Sequence, residues 1–235
     1  MDDKLDVSSG MRDALPTVFG YIGIGLAFGI VAKAAGLNVL LVALVSIITY
    51  AGSAQFILVS MLASGNAMLG IVLAVFLVNS RMILMSMTVA PFLKQESMLK
   101  NILVGSLLTD ESFALSMSKV NYTNKILNFS WLNTANIVSY CTWVLSSILG
   151  ALLGGFITNP DKLGLNFALV AMFIGLLYLQ MIGDKELPFK LQLIVVLIVL
   201  GLVYLGLIFI PSNLLIIAVT IVGCSLGMVI KHAFF

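Results

Sequence analysis

Apolar residues run through this chain in blocks of about 17 to 27 positions, separated by short polar turns. A helix rises about 1.5 Å per residue, so most of these blocks can cross a hydrocarbon core about 30 Å thick. None shows the ten-residue alternation of barrel strands. The pattern predicts an all-α integral membrane protein, a bundle of about eight transmembrane helices. The segments fall at about Ala14–Ala32, Leu40–Leu62, Ala67–Ala90, Asn101–Met117, Trp131–Ile157, Leu163–Ile182, Leu191–Ile210 and Leu214–Ile230. The number drops to seven if the short fourth segment fails to cross.

Residues 1 to 13 read as a polar tail or interfacial helix, with Pro16 tolerated near the first turn of the span that follows. Gly25 and Gly29 have the four-residue spacing that lets membrane helices approach closely. In the second segment Ser46, Tyr50, Ser53 and Ser60 fall on one helical face, with Gln55 beside it. That stripe serves either interhelical hydrogen bonding or the wall of a pathway. Ala51-Gly52-Ser53-Ala54-Gln55 is also rich enough in small residues to kink. Gly25-x3-Gly29 before Gly36-Leu37-Asn38 is echoed by Gly150-x3-Gly154 before Gly164-Leu165-Asn166. The echo suggests one transmembrane domain built of two repeat halves, about 14–118 and 131–230, as in many transporters. The halves are parallel with eight spans and inverted with seven.

Composition sharpens this reading. Of 235 residues 61% are hydrophobic and only 9% charged, against about a quarter charged in a soluble domain. Net charge is +2 and the basic residues are scattered, so nothing suggests a nucleic-acid surface. Cys141 and Cys224 fall inside apolar spans, read as small core residues. Lysine and arginine in the loops divide seven to four if all eight segments cross. Lys4, Arg12, Lys119, Lys125, Lys185, Lys190 and Lys231 share the side of the termini, and Lys33, Lys94, Lys100 and Lys162 take the other. The bias favours cytoplasmic termini.

Two polar islands interrupt the apolar pattern, Asn79-Ser80-Arg81 and Thr109-Asp110-Glu111-Ser112. A charge at the centre of a membrane helix costs roughly 2.5 to 3.5 kcal/mol and usually faces an interior or an aqueous path. Arg81 lies nine residues before Ala90 and Asp110 nine residues after Asn101, which places both roughly 13 Å from the loop that joins their segments. As an antiparallel pair, the two charges can meet. Asp110 and Glu111 diverge by about 100° on a helix and should not share a role; Asp110 is expected to face inward, with Ser106 one turn earlier on the same face.

The only histidine, His232, lies beyond the last span, and no metal-ligand or phosphate-loop motif occurs. No catalytic residues, metal ligands or cofactor are therefore expected, and an enzyme is not. A transport site is easier to build. A zwitterion offers a carboxylate to Arg81 and an ammonium to Asp110 or Glu111, and either carboxyl can instead carry a coupling proton. Gln55, Asn79, Ser53 and Thr109 are further candidates for substrate binding or coupling. The competing reading is a buried Arg81–Asp110 ion pair that only specifies helix packing.

Several ordered stretches resemble the AzlC-like family of branched-chain amino-acid transport proteins, large-subunit type. They are residues 20–29, Ala51-Gly52-Ser53-Ala54-Gln55-Phe56, Asn79-Ser80-Arg81 with Met85-Ser86 before Ala90-Pro91, Thr109-Asp110-Glu111-Ser112-Phe113, and Leu163-Gly164-Leu165-Asn166-Phe167-Ala168. Ser80 and Ser53 depart mildly from the residues commonest in that family, without removing a charge. The resemblance implies a multi-pass permease of the cytoplasmic membrane that exports branched-chain amino acids. It also implies a small AzlD-like membrane subunit as partner. The rival expectations are a non-transporting subunit that stabilises or regulates a partner, and a channel.

Overall fold

The computed structural model describes residues 3–157, isolated helical positions between 170 and 182, and residues 187–209 and 212–234. The sixth expected span and the Gly164-Leu165-Asn166 copy of the repeat lie largely or wholly outside the described residues. In chain order the helices are α1 (Val7–Ala34), α2 (Val39–Thr49), α3 (Gly52–Ala63), α4 (Met68–Asn79), α5 (Arg81–Val89, running into a 3₁₀ turn over Ala90–Leu93), α6 (Met98–Ser106), α7 (Asp110–Val120) and α8 (Phe129–Gly154). Two further helices, Phe189–Phe209 and Ser212–Phe234, form a second unit of their own. No strand occurs among the described residues. Among the described residues four apolar stretches are long enough to cross a membrane: Val7–Ala34, Met68–Leu93, Phe129–Gly154 and Phe189–Phe209.

The first helix begins seven residues earlier than expected, because Asp6 accepts a hydrogen bond from the Ser9 N–H at 2.7 Å and caps it. Pro16 therefore lies inside α1, on an exposed face. Such a position is tolerated in membrane helices when other groups satisfy the freed carbonyl. Helices α1 and α8 form the spine of the first unit and run parallel. A Cβ on Gly10 would meet Trp131, one on Gly25 would meet Ser146, and one on Gly154 would meet Ile30 and Lys33. Gly29 touches the Ser147 carbonyl and Gly150 the Leu26 carbonyl. The two four-residue glycine spacings thus face each other across one interface, bringing backbones into contact as small residues permit.

The second expected span is not one helix. It breaks at Tyr50, whose φ of 33° lies in the left-handed region, and at the extended Ala51. In a continuous helix Ser46 and Gln55 would be about 13 Å apart along the axis. Instead the Gln55 side-chain amide donates to Ser46 Oγ at 3.1 Å, and Val42 and Val59 share one buried cluster. Helices α2 and α3 therefore double back as a re-entrant hairpin. Its arms of 11 and 12 residues reach only about half of a hydrocarbon core. The expected stripe is broken accordingly: Ser46, Tyr50 and Ser53 are buried near the fold, while Ser60 is exposed further along α3.

The fourth expected span does the same from the opposite face. Glu96, before α6, accepts from the Phe129 N–H at 3.0 Å, and Lys119, at the end of α7, donates to Asp13 at 2.7 Å. Both ends of the segment lie at the N-terminal end of α1. The fold-back over Leu107–Thr109 sits instead beside Tyr21, about 12 Å further along α1. This break overturns the expected alignment of Ser106 with Asp110: Ser106 is exposed and bonds the Leu103 carbonyl. Lys119 is no loop residue either. It is fully buried, also donates to Ser9 Oγ at 3.2 Å, and lies over the Trp131 ring, whose Nε1 donates to the same Asp13 oxygen. Cys141 and Cys224, expected in the core, are both exposed.

The first unit is thus a span and a hairpin, then a span and a hairpin of opposite direction, closed by α8. The helix starts repeat nearly in step: Gly52 and Asp110 are 58 residues apart, Val39 and Met98 59, Val7 and Met68 61. The α1–α2 and α3–α4 turns lie on one face, each closed by a positive-φ glycine, Gly36 and Gly65. The N-terminus, the loop over Lys94–Ser97 and the loop after α7 lie on the other. There Glu96, whose side chain is 20% exposed, is pinned by Lys100 at 2.7 Å as well as by Phe129. These contacts, Lys100 foremost, hold its carboxyl below the usual range. Their contribution is present above that range and lost as pH falls through the lowered value.

In the second unit the two helices pack antiparallel, with Gly223 against Val199 and Gly227 against Val195.

Two outcomes are expected. With native cysteines removed, Gln95→Cys is labelled by a membrane-impermeant maleimide from the side of the N-terminus and Asn66→Cys from the opposite side. Continuous second and fourth spans would give the reverse. Gly29→Leu or Gly150→Leu destabilises by about 2 kcal/mol or more through overpacking and reduces the monodisperse yield. Gly23→Ala, with nothing within 4 Å of its Cβ, stays within about 0.5 kcal/mol.

Candidate functional site

The two hairpin tips meet at mid-depth. Ser53 starts the inner arm α3, and Asp110 starts the inner arm α7. Arg81, at the α4–α5 junction, reaches both: its Nη2 donates to Asp110 Oδ2 at 2.7 Å and to Ser53 Oγ at 2.9 Å. The side chains are 35% and 13% exposed for Arg81 and Asp110. Depth counting from the connecting loop therefore placed them correctly, although one of the two helices is a hairpin arm.

The first tip is held by its neighbours rather than by capping of its own. Gln55 is fully buried, donating to Ser46 and accepting from Trp143 Nε1 at 2.8 Å. Tyr140 Oη donates to the Ile47 carbonyl at 3.1 Å, satisfying one of the groups that the end of α2 leaves without an intrahelical partner. Gly52 lies where a Cβ would come within 3.1 Å of the Trp143 ring, so the indole packs directly against the break. No side chain caps the N-terminus of α3. Its first N–H groups and its positive dipole end point toward the Arg81 region.

The second tip is capped internally. Thr109 Oγ1 accepts from the Ser112 N–H while Ser112 Oγ accepts from the Thr109 N–H, a reciprocal capping box. The neighbouring carboxylates part company as expected: Asp110 turns to Arg81 and Glu111 to Tyr21. Tyr21 Oη lies 2.7 Å from Glu111 Oε2 and 2.9 Å from Thr109 Oγ1. Having one proton, it donates to the carboxylate and accepts from the threonine hydroxyl.

Between the tips lies a small cavity lined by Tyr21, Tyr50, Ala51, Gly52, Ser53, Met82, Thr109, Asp110, Glu111 and Trp143. Its free volume of about 10 Å³ is about what one water needs. Ser53, Thr109, Asp110 and Glu111 line it, and Arg81 bridges its walls. Gln55 stands behind the wall as a strut. Asn79 does not line it, and its buried Oδ1 has no hydrogen-bond partner. The aromatic lining, Tyr21, Tyr50 and Trp143, was not singled out as site from the sequence. Its signal was polar-tipped aromatics inside otherwise apolar blocks, which also suit interfacial anchoring. Among the described residues no cluster of His, Cys, Asp and Glu could hold a metal ion.

The cavity falls within residues 16–157, which match the sequence profile of the AzlC protein family. The inner membrane protein YgaZ of Escherichia coli K12 is 30% identical over 172 residues, 72% of this chain and 70% of that protein. An uncharacterized membrane protein of Helicobacter pylori J99 is 28% identical over 178 residues, covering 72% and 75%. The branched-chain amino acid transport protein AzlC of Bacillus subtilis 168 is 22% identical over 194 residues, covering 79% and 74%. No solved structure matches.

Removing Arg81 leaves the Asp110 carboxylate, 13% exposed, without its guanidinium partner. Arg81→Ala is expected to cost about 2 kcal/mol, reduced from the figure for a fully buried pair because the guanidinium is partly exposed. Adding Asp110→Ala should recover part of it. Thermal unfolding of the two single variants and the double variant in detergent checks this, and additive losses would show that the pair is not coupled.

Proposed function

The chain belongs to the AzlC family, and from that membership we propose that it is a secondary permease that exports branched-chain amino acids. Valine, leucine and isoleucine are the proposed substrates, with methionine as a further one. Transport is coupled to protons and proceeds with a small AzlD-like membrane subunit. The substrate class draws on the name of the Bacillus subtilis relative and on the chemistry of the cavity.

The observation that carries the reading is the Arg81–Asp110 pair where two oppositely directed hairpin tips meet. A zwitterion can insert into an ion pair without stranding a charge: its carboxylate takes the guanidinium and its ammonium takes Asp110. The uncapped N-terminus of α3 adds a second attraction for the carboxylate. Tyr50, Met82 and Trp143 supply apolar contact for a branched side chain. A cavity with room for one water is a closed state, so loading requires a tip to withdraw. Withdrawal of α2/α3 opens the cavity toward the face of Gly36 and Gly65. Withdrawal of α6/α7 opens it toward the N-terminal face.

That N-terminal face carries Lys4, Arg12, Lys94, Lys100 and Lys125, against Lys33 near the other. The imbalance supports a cytoplasmic N-terminus in a cytoplasmic membrane. Over residues 1–157 the sequence-based division is four to three, and it becomes five to one because Lys94 and Lys100 join that face while buried Lys119 drops out. A continuous apolar surface on α4 and α5, including Met68, Leu69, Val72, Phe76, Ile83 and Leu84, is exposed and suits lipid or the small subunit.

A non-transporting subunit is the second reading, favoured by the fact that Arg81 and Asp110 already neutralise each other. In proteoliposomes with the small subunit, Arg81→Ala and Asp110→Asn are each expected to lower leucine flux about 100-fold, since each removes a charge-assisted contact worth about 1.5 to 3 kcal/mol. Both variants should insert normally. Undiminished flux in either sinks the site assignment. Failure of the wild-type pair to bind any apolar amino acid supports the non-transporting reading.

A further inference from the structure

Glu111 and Asp110 are adjacent on one hairpin tip, yet their partners differ in kind. Asp110 meets a guanidinium, which has protons to give and no lone pair to receive one. Glu111 meets a phenol, which can do either. The charged and titratable groups around Glu111 are few: Tyr21 from α1, Tyr50 from α2, Arg81 from α5, and Asp110 on its own helix. From α8 the apolar face of Trp143 lines the same cavity.

We propose that Glu111, held between Tyr21 and Thr109, is a proton-binding site separate from the Arg81–Asp110 pair, and that Tyr21 is its positioning residue. With Glu111 ionised, the Tyr21 hydroxyl donates to Oε2. When a proton that enters through the cavity from bulk solvent binds Oε2, the new carboxylic O–H donates to Tyr21 Oη and the tyrosine proton turns to Thr109 Oγ1, 2.9 Å away. The Thr109 hydroxyl then turns toward Ser112 Oγ at 3.4 Å. No heavy atom has to move, so the site gains or loses one proton while the tip stays in place. Asp110 has no such freedom, because protonating it would strand the Arg81 guanidinium beside a neutral acid.

Movement of this proton with substrate rests on the transport reading; the existence of the site does not. The test is infrared titration of the reconstituted full chain from neutral to acid pH. The chain has ten Asp and Glu side chains, so the expected signature is one component among the acid-induced carboxylic C=O bands, lost in Glu111→Gln and kept in Asp110→Asn. Tyr21→Phe should shift the pH at which that component appears, or its frequency. Acid-induced bands in Glu111→Gln that match the wild type's in full, or loss of the same component in Asp110→Asn, overturn the assignment. An unshifted band in Tyr21→Phe overturns the positioning role.

In proteoliposomes with the small subunit, leucine addition is expected to move protons in the wild type and not in Glu111→Gln, whose remaining leucine exchange no longer varies with pH. A wild type that shows the band but no leucine flux retires the transport reading and leaves the proton site. Leucine-driven proton movement that persists in Glu111→Gln retires Glu111 as the coupling group and leaves transport.

Discussion

A guanidinium at mid-depth in hydrocarbon has to be neutralised where it stands, and the first unit is arranged to do so. Arg81 cannot snorkel from the middle of a 26-residue apolar stretch. Its carboxylate therefore comes to it on the tip of a re-entrant arm. Bringing a chain end-on to the bilayer centre exposes backbone groups that lipid cannot satisfy, and this second constraint dictates the tip chemistry. Thr109 and Ser112 cap one tip, while Tyr140 and Trp143 brace the other from α8, Trp143 by donating to Gln55. The parallel α1–α8 spine, closed by glycines, supplies the protein wall against which both hairpins can lie.

The hairpins differ in how they are fastened. The outer end of α6/α7 is tied to α1 by the Lys119–Asp13 pair, with no exposure on the lysine and 9% on the aspartate. Charges that deep, with Ser9 accepting from the lysine and Trp131 donating to the aspartate, fix geometry more than they add stability. The tip of the same hairpin is held by polar contacts to Arg81 and Tyr21, with Leu107 and Leu108 packed into the two buried clusters beside it.

Much of this was legible in the sequence, for identifiable reasons. Composition and block length gave the membrane class, and the family resemblance matched the recognised profile. Arg81 and Asp110 were paired correctly because depth counts residues from a shared loop, which holds whether an arm crosses or turns back. The fold-back itself was hidden. Ala51-Gly52-Ser53 permits a kink, but no proline or charge marks Tyr50 as left-handed, and both arms together have the length of one span. Lys119 was hidden by its polar neighbours, since its partner Asp13 lies more than a hundred residues away. The cysteines misled because lipid-facing positions are as apolar as core ones, so burial within the protein cannot be told from immersion in the bilayer.

One nitrogen, Arg81 Nη2, holds both tips at once, Ser53 of one hairpin and Asp110 of the other. A tip that departs gives up its share of that nitrogen, and the guanidinium is left with the remaining tip as its principal counterweight. The second departure would then cost more than the first. Two doors worked from a single bolt do not readily stand open together, so the point where the tips meet keeps a barrier to ions on at least one side.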